Sequence, residues 1–319
     1  MRGLERTRGK TVTSFGITPG PAPARLTMGI VSAGRVGTAL GAALERVGHV
    51  VGAVSAVSDA SLHRAATRLP ESVVASPPDV AARSELLILA VPDTELDGLV
   101  RGLVATGAVR PGTIVVHTSG AHGIGILAPL TETGAVPLAI HPAMTFSGHD
   151  EDTARLSSAC FGVTAADETG YAVAQSLVLE IGGEPVRVRE EMRTLYHAAL
   201  AHGSNHLVTL VADAAAALRA ALAGDELLGQ QLVDDQPNGL AERVLAPLLS
   251  AALDNALRRG RGALTGPVAR GDVEAVAAHR RALDGVDPDL AESYRALALH
   301  TAQAARSTDT MIEMLERRA

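Results

Sequence analysis

Runs of consecutive apolar residues recur at short intervals up to about position 189: MGIVS, VVGAVSA, LLILAV, GTIVVHT, VPLAIH, FGVTA and PVRVR. Stretches with helical spacing separate them, among them Val36–Val47, Asp59–Arg68 and Glu168–Ile181. A strand that is apolar at every position has no face to give to water, and the intervening helices supply the cover. The pattern therefore predicts an α/β fold: a doubly wound, mostly parallel sheet over 28–189. After Glu190 the strand signals stop. Helices rich in alanine and leucine are predicted over 191–222, 240–259, 272–283 and 288–317, forming an all-helical domain over 190–319. Asp287-Pro288 supplies a cap and a first-turn proline, and Gly260 a stop. The stretch GDELLGQQLVDDQPNG reads as a polar connection, and residues 1–27 as a disordered tail without the apolar core of a secretion signal.

Composition narrows the partners. Six aromatics in 319 residues leave little for base stacking. The first 27 residues carry five basic side chains and one acid, so +4 of the net −7 lies there and the remainder stands near −11. That balance disfavours a nucleic-acid partner. One cysteine, Cys160, excludes an intrachain disulfide, and no apolar run reaches the length of a membrane span. A cytoplasmic protein with no membrane partner is expected.

The first apolar run enters the stretch Ser32-Ala33-Gly34-Arg35-Val36-Gly37. This matches the dinucleotide fingerprint GxGxxG with serine at the first glycine. The second glycine lets backbone approach a pyrophosphate, the third lets helix pack on strand, and the helix start attracts the anion. The second run ends at Ser55 and Ser58, where an acid would otherwise hold a ribose 2′-hydroxyl. Without that acid NADP is favoured over NAD, with Ser55, Ser58 and Arg64 as contacts. Later runs end at Val91-Pro92-Asp93, at His117-Thr118-Ser119 and at His141-Pro142. Ligands of such sheets bind beyond the carboxyl ends of the strands, so these tips are candidate site residues. Ser119 and His141 are placed at the nicotinamide end.

The blocks HTSGAHG, HPAMTFSG, LYHAALAHGSNHLVTL, PLLSAALDNALRRG and LTGPVARGD together resemble the bacterial Rossmann-like family whose C-terminal half is domain of unknown function 2520. The resemblance runs from about Met28 to Gln303. More distantly the chain is similar to the superfamily of 6-phosphogluconate, 3-hydroxyacid, ketopantoate, prephenate and pyrroline-5-carboxylate oxidoreductases. It implies an NADP-type oxidoreductase, with ketopantoate among the substrates and dimerisation through the helices. Hydroxyacid and ketopantoate members use a lysine on the first helix of the second domain, with an asparagine nearby. Here Lys10 is the only lysine, so that mechanism does not transfer, although Asn205 matches the asparagine. His141 loosely matches a substrate-contacting histidine of prephenate dehydrogenase.

On the helix over 191–222, Asn205, Thr209, His202, Asp213 and His206 fall within about 100° of one another. The stripe holds no Arg, Lys or Glu, which predicts a polar cleft rather than a solvated face. His202 or His206 is the expected proton donor, with Asn205 on the carbonyl oxygen. Tyr196 and His197, off the stripe, are expected to touch substrate, cofactor or an interface. HGSNH lacks the glutamate of HExxH and a third ligand, so no metal is expected. Arg270 suits a substrate carboxylate, with Thr265 beside it. The expectation is reduction of a small carboxylate-bearing ketone. The alternatives are an imine reductase of the pyrroline-5-carboxylate kind, a prephenate-type dehydrogenase, or a non-catalytic NADP sensor.

Overall fold

The computed structural model describes residues 25–223 and 239–317. Nearly all of the expected tail and of the polar connection lies outside them. The chain divides into two compact units, the first ending at Leu200 and the second beginning at Ala201.

The first unit is built on eight strands: β1 Thr27–Val31, β2 Val50–Val54, β3 Val73–Val74, β4 Leu86–Leu89, β5 Ile114–His117, β6 Val136–Pro142, β7 Cys160–Ala165 and β8 Glu184–Arg187. Their order across the sheet is β3-β2-β1-β4-β5-β6-β7-β8. All neighbours run parallel except β6 and β7, which pair antiparallel with His141 opposite Gly162. The apolar runs become strands because both faces are covered. Met28, Ile30, Leu86, Ile88 and Val116 enter one core and Val31, Leu87, Leu89 and Val115 the other. Every residue of β4 is buried, and each such leucine contributes about 1.5–3 kcal/mol.

Helices α1 Arg35–Arg46, α2 Asp59–Arg68, α3 Pro77–Ala82, α4 Asp93–Thr106, α5 Ala128–Thr131, α6 Glu151–Arg155 and α7 Glu168–Glu180 fill the gaps between strands. Helix α8, Arg193–Leu222, contributes its first two turns to this unit and the rest to the second.

The second unit contains the remainder of α8, then α9 Leu240–Arg259, α10 Gly266–Arg270, α11 Val273–Asp284, α12 Pro288–Ala305 and α13 Asp309–Glu316. The helix predicted over 288–317 is two helices. Arg306 takes a left-handed φ of 54°, Ser307 N–H returns to the Ala302 carbonyl, and the Thr308 hydroxyl caps Met311 N–H. Ser307-Thr308-Asp309 carried that signal. Among the described residues no helix is long and apolar enough to cross a membrane.

Candidate active site

In the strand order 3-2-1-4-5-6, chain direction across the sheet reverses between β1 and β4, and the crevice over their carboxyl ends is where such sheets receive dinucleotides. The fingerprint loop occupies that point. Ser32 holds φ at 80°, a left-handed conformation that glycine adopts without cost. Two hydrogen bonds hold the loop there: Ser32 N–H to Ser55 Oγ at 2.9 Å and Ala33 N–H to the Ser55 carbonyl at 2.7 Å. A Cβ on Gly37 would lie 2.4 Å from the Ser32 carbonyl oxygen, whereas one on Gly34 would meet only Ser32 Oγ, at 3.4 Å. Gly37 thus seats α1 on the strand, and Gly34 faces open space. No side chain caps α1 and no acid stands in its first turn, so its N–H groups are available to an anion. These features fit the pyrophosphate of a dinucleotide.

The two glycines therefore separate fold from ligand. Gly37→Ala is expected to lower both thermal stability, by about 1–3 kcal/mol, and NADPH affinity, by tenfold or more. Gly34→Ala is expected to cost at most about 1 kcal/mol as a changed cap yet weaken NADPH comparably. Melting curves and fluorescence titration of both variants check this. Equal affinity in Gly34→Ala and wild type would remove the loop from the site.

Ser55 and Ser58, expected at the ribose, are committed to the fold. Ser55 is buried as the loop's acceptor, and Ser58 Oγ accepts from Ser61 N–H as the cap of α2. Arg64 lies beside the loop, its Nε donating to the Ala33 carbonyl at 3.3 Å. Arg35 reaches the Phe146 carbonyl at 3.4 Å, and its stem packs beneath Gly148. Val91, Pro92 and Asp93 form the passage from β4 to α4, with Pro92 as cap.

At the next strand tips the structure brings together His117, Ser119, His141, Tyr196 and His197. His117 is fully buried: Nε2 donates to the Gly123 carbonyl at 2.8 Å and Nδ1 accepts Ser119 N–H at 3.2 Å. Both nitrogens are used, and burial first, then the nearby Arg193, pulls its pKa from 6.5 to about 4. Ser119 is buried too, its Oγ accepting His122 N–H, so its hydroxyl braces the loop rather than presenting itself outward.

His141 differs. Nδ1 lies 3.0 Å from the Tyr196 hydroxyl, while Nε2 has no hydrogen-bond partner among the described residues. Its ring meets Tyr196 edge-on, with His197 beyond at 6.3 Å between centroids. Burial, then Arg193 and His197, lowers its pKa to about 4, against the opposing pull of Asp93. A Cβ on Gly120 would sit 2.8 Å from His197 Cδ2 and 3.0 Å from His141 Nε2, so glycine there leaves room beside both imidazoles.

Sequence reasoning passed over Arg193, which organises the cluster. It is 1% exposed, with no carboxylate in hydrogen-bond range among the described residues. Nε donates to Thr164 Oγ1 at 2.7 Å, Nη2 to the Ala139 and Gly162 carbonyls at 3.0 and 3.1 Å, and Nη1 to the Ser119 carbonyl at 3.5 Å. Desolvation lowers its pKa to about 10, still leaving it charged at neutral pH.

His117 and His141 give stability a pH dependence. Both folded pKa values lie below the unfolded value of 6.5, so the unfolded chain binds more protons between about pH 4 and 6.5. Stability is expected to rise with pH across that window and level off above it. In urea unfolding at stepped pH, His141→Gln should reduce the slope by about one proton. An unchanged slope would contradict the depressed value.

His202, Asn205 and His206 belong to the second unit. All three are exposed there, where a polar cleft was expected. His202 Nδ1 and His206 Nδ1 are 2.8 Å apart. Thr265 and Arg270 are exposed. Thr265 makes no side-chain cap, and Arg270 forms no salt bridge among the described residues. Asp272 instead caps α11 through Ala275 N–H. The helix after Thr265 has only five residues, too short for a dipole to hold an anion.

The strand order, the open second glycine and the imidazoles at neighbouring tips define a doubly wound nucleotide-site fold joined to a helical unit. Family comparison gives it a place: the chain joins a Rossmann-like domain, matched over residues 13–142, to the domain of unknown function DUF2520, matched over 159–301. No curated protein matches it in sequence. Among solved structures it resembles a provisionally assigned NADP oxidoreductase from Bacteroides fragilis (TM-score 0.67, 22% identity, covering 88% of this chain and 98% of that one). It also resembles a reductive aminase from Aspergillus terreus solved with NADPH and ethyl levulinate (0.56, 17%, 92% and 99%). A third is the pyrroline carboxylate reductase of Plasmodium falciparum with NADP bound (0.53, 11%, 91% and 98%). These likenesses establish a shared fold.

Proposed function

We propose that the protein is an NADP-dependent oxidoreductase that reduces a small carboxylate-bearing ketone, with ketopantoate the first substrate to test. The observation that carries this reading is His141 Nε2, unpaired at the tip of β6 on the edge that also holds the fingerprint loop. The solved relatives named for NADP or NADPH lend the cofactor support. The 2′-phosphorylated form suits a second strand that runs into Ser55-Ala56-Val57-Ser58 without a carboxylate, with Arg64 beside the loop. When bound, the reduced nicotinamide supplies a hydride. His141 holds the substrate oxygen through a hydrogen bond donated by Nε2, Arg193 behind it favours the negative charge that develops there, and solvent water protonates the resulting alkoxide. Arg270, free of ion pairs among the described residues, is the proposed carboxylate anchor, with Thr265 beside it. His202, Asn205 and His206 are the alternative donor set.

Imine reduction is the second reading, favoured by the names of two solved relatives. A protonated imine is cationic, however, and the buried charge of Arg193 opposes it near His141. A homodimer through the helical unit is also proposed. Leu248 and Leu257 on α9 are 65% and 80% exposed, more than an isolated helical surface tolerates in series. Light scattering should give twice the chain mass, and a Leu248→Asp, Leu257→Asp variant half of that.

The function is tested by NADPH oxidation against a panel of 2-keto acids and cyclic imines. Turnover of a keto acid supports the reading, and preference for an imine selects the second. NADPH binding with no turnover of any member leaves the sensor.

A further inference from the structure

We infer that Tyr196 is a positioning residue for His141, donating its phenolic hydrogen to Nδ1 and so fixing the imidazole as the tautomer that carries its hydrogen on Nε2. The inference rests on the reading of His141 as the group that meets substrate. It turns on the direction of one hydrogen bond. Tyr196 Oη and His141 Nδ1 are 3.0 Å apart with the rings at 89°. Either partner could give the proton, so the surroundings decide. Among the described residues Nδ1 is the one group within hydrogen-bond distance of the hydroxyl, and the carbonyls around it are taken: Arg193 donates to those of Ser119, Ala139 and Gly162. If Nδ1–H donated instead, the phenolic hydrogen would be stranded in a half-buried pocket, at a cost of about 1–3 kcal/mol. Burial raises the tyrosine's pKa, so that hydrogen stays on oxygen.

Three fitted positions make the contact. Gly162, opposite His141 across the β6–β7 pair, has no side chain because a Cβ would lie 2.6 Å from Tyr196 Oη. Arg193 fixes the first turn of α8 to β6 and β7. Gly120 leaves Nε2 uncovered. The charged and titratable groups facing the ring are Arg193, Tyr196 and His197 from α8 and Asp93 from α4. Burial, with the charge of Arg193 behind it, keeps the ring neutral, and Tyr196 selects which nitrogen carries its hydrogen. A neutral imidazole with hydrogen on Nε2 is a donor matched to a carbonyl oxygen.

Nitrogen-15 spectra of the histidine rings test this directly, with His141→Gln identifying the resonances. At pH 7 the wild type should show a neutral ring protonated on Nε2, with Nδ1 bearing the signature of an accepted hydrogen bond. In Tyr196→Phe that signature should vanish and the Nδ1-protonated form should appear, while kcat falls about tenfold, one neutral hydrogen bond's worth, and NADPH affinity holds. A wild-type ring protonated on Nδ1, or on both nitrogens, overturns the inference without any variant. So does a Tyr196→Phe spectrum identical to wild type. Absence of all turnover with the expected spectra overturns the proposed function alone, since the spectra need neither cofactor nor substrate.

Discussion

In a His141→Ala variant, turnover of the preferred keto acid is expected to fall about 10²–10⁴-fold while NADPH affinity stays within about twofold. That loss corresponds to roughly 3–5 kcal/mol of transition-state stabilisation. The two halves of the result have separate causes. In the proposed site the cofactor phosphates lie on Ser32, Gly34 and the start of α1, apart from the imidazole. In the proposed site the imidazole meets substrate alone, through Nε2. His202→Ala is the control. Should it reproduce the loss while His141→Ala retains turnover, proton donation belongs to the helical stripe and the sheet-edge assignment fails.

Arg193→Met is expected to destabilise the first unit by about 2–5 kcal/mol, a fall of about 5–15 °C in Tm. Methionine matches the stem in length but offers no donors. The carbonyls of Ala139 and Gly162 and the hydroxyl of Thr164 would then lose partners deep in the fold. Part of the loss is offset because no charge has to be buried. Arg193→Lys should fall between, since an ammonium keeps the charge but cannot fork to acceptors on two strands and a loop. A Tm for Arg193→Met within 2 °C of wild type, by calorimetry, would show the acceptors satisfied otherwise.

The sheet was legible because burial on both faces leaves its strands no freedom of composition. LLILA can be little else. The loop was legible from Gly34 and Gly37 alone, each needed for a close approach. The reversal of β7 was not, because direction depends on the path of a connection and FGVTA is equally apolar either way. The candidate site came half into view. His141 and Tyr196 were both singled out, yet 55 positions separate them and nothing local states that they meet. Arg193 reads as an ordinary charge at a helix start, since its burial is a property of two strands and a loop. Gly120 and Gly162 make sense only beside the rings they admit. The polar stripe of α8 is exposed within its own unit, since helical periodicity identifies a face without saying what covers it.

The reversed strand has a last consequence. With β7 antiparallel to β6, the residue opposite His141 is not loop but laddered backbone, secured between β6 and β8. The seat of the tyrosine is thereby woven into the interior of the sheet. Its amide at Gly162 should exchange with solvent deuterium as slowly as those of the central strands, which keeps the imidazole's geometry fixed.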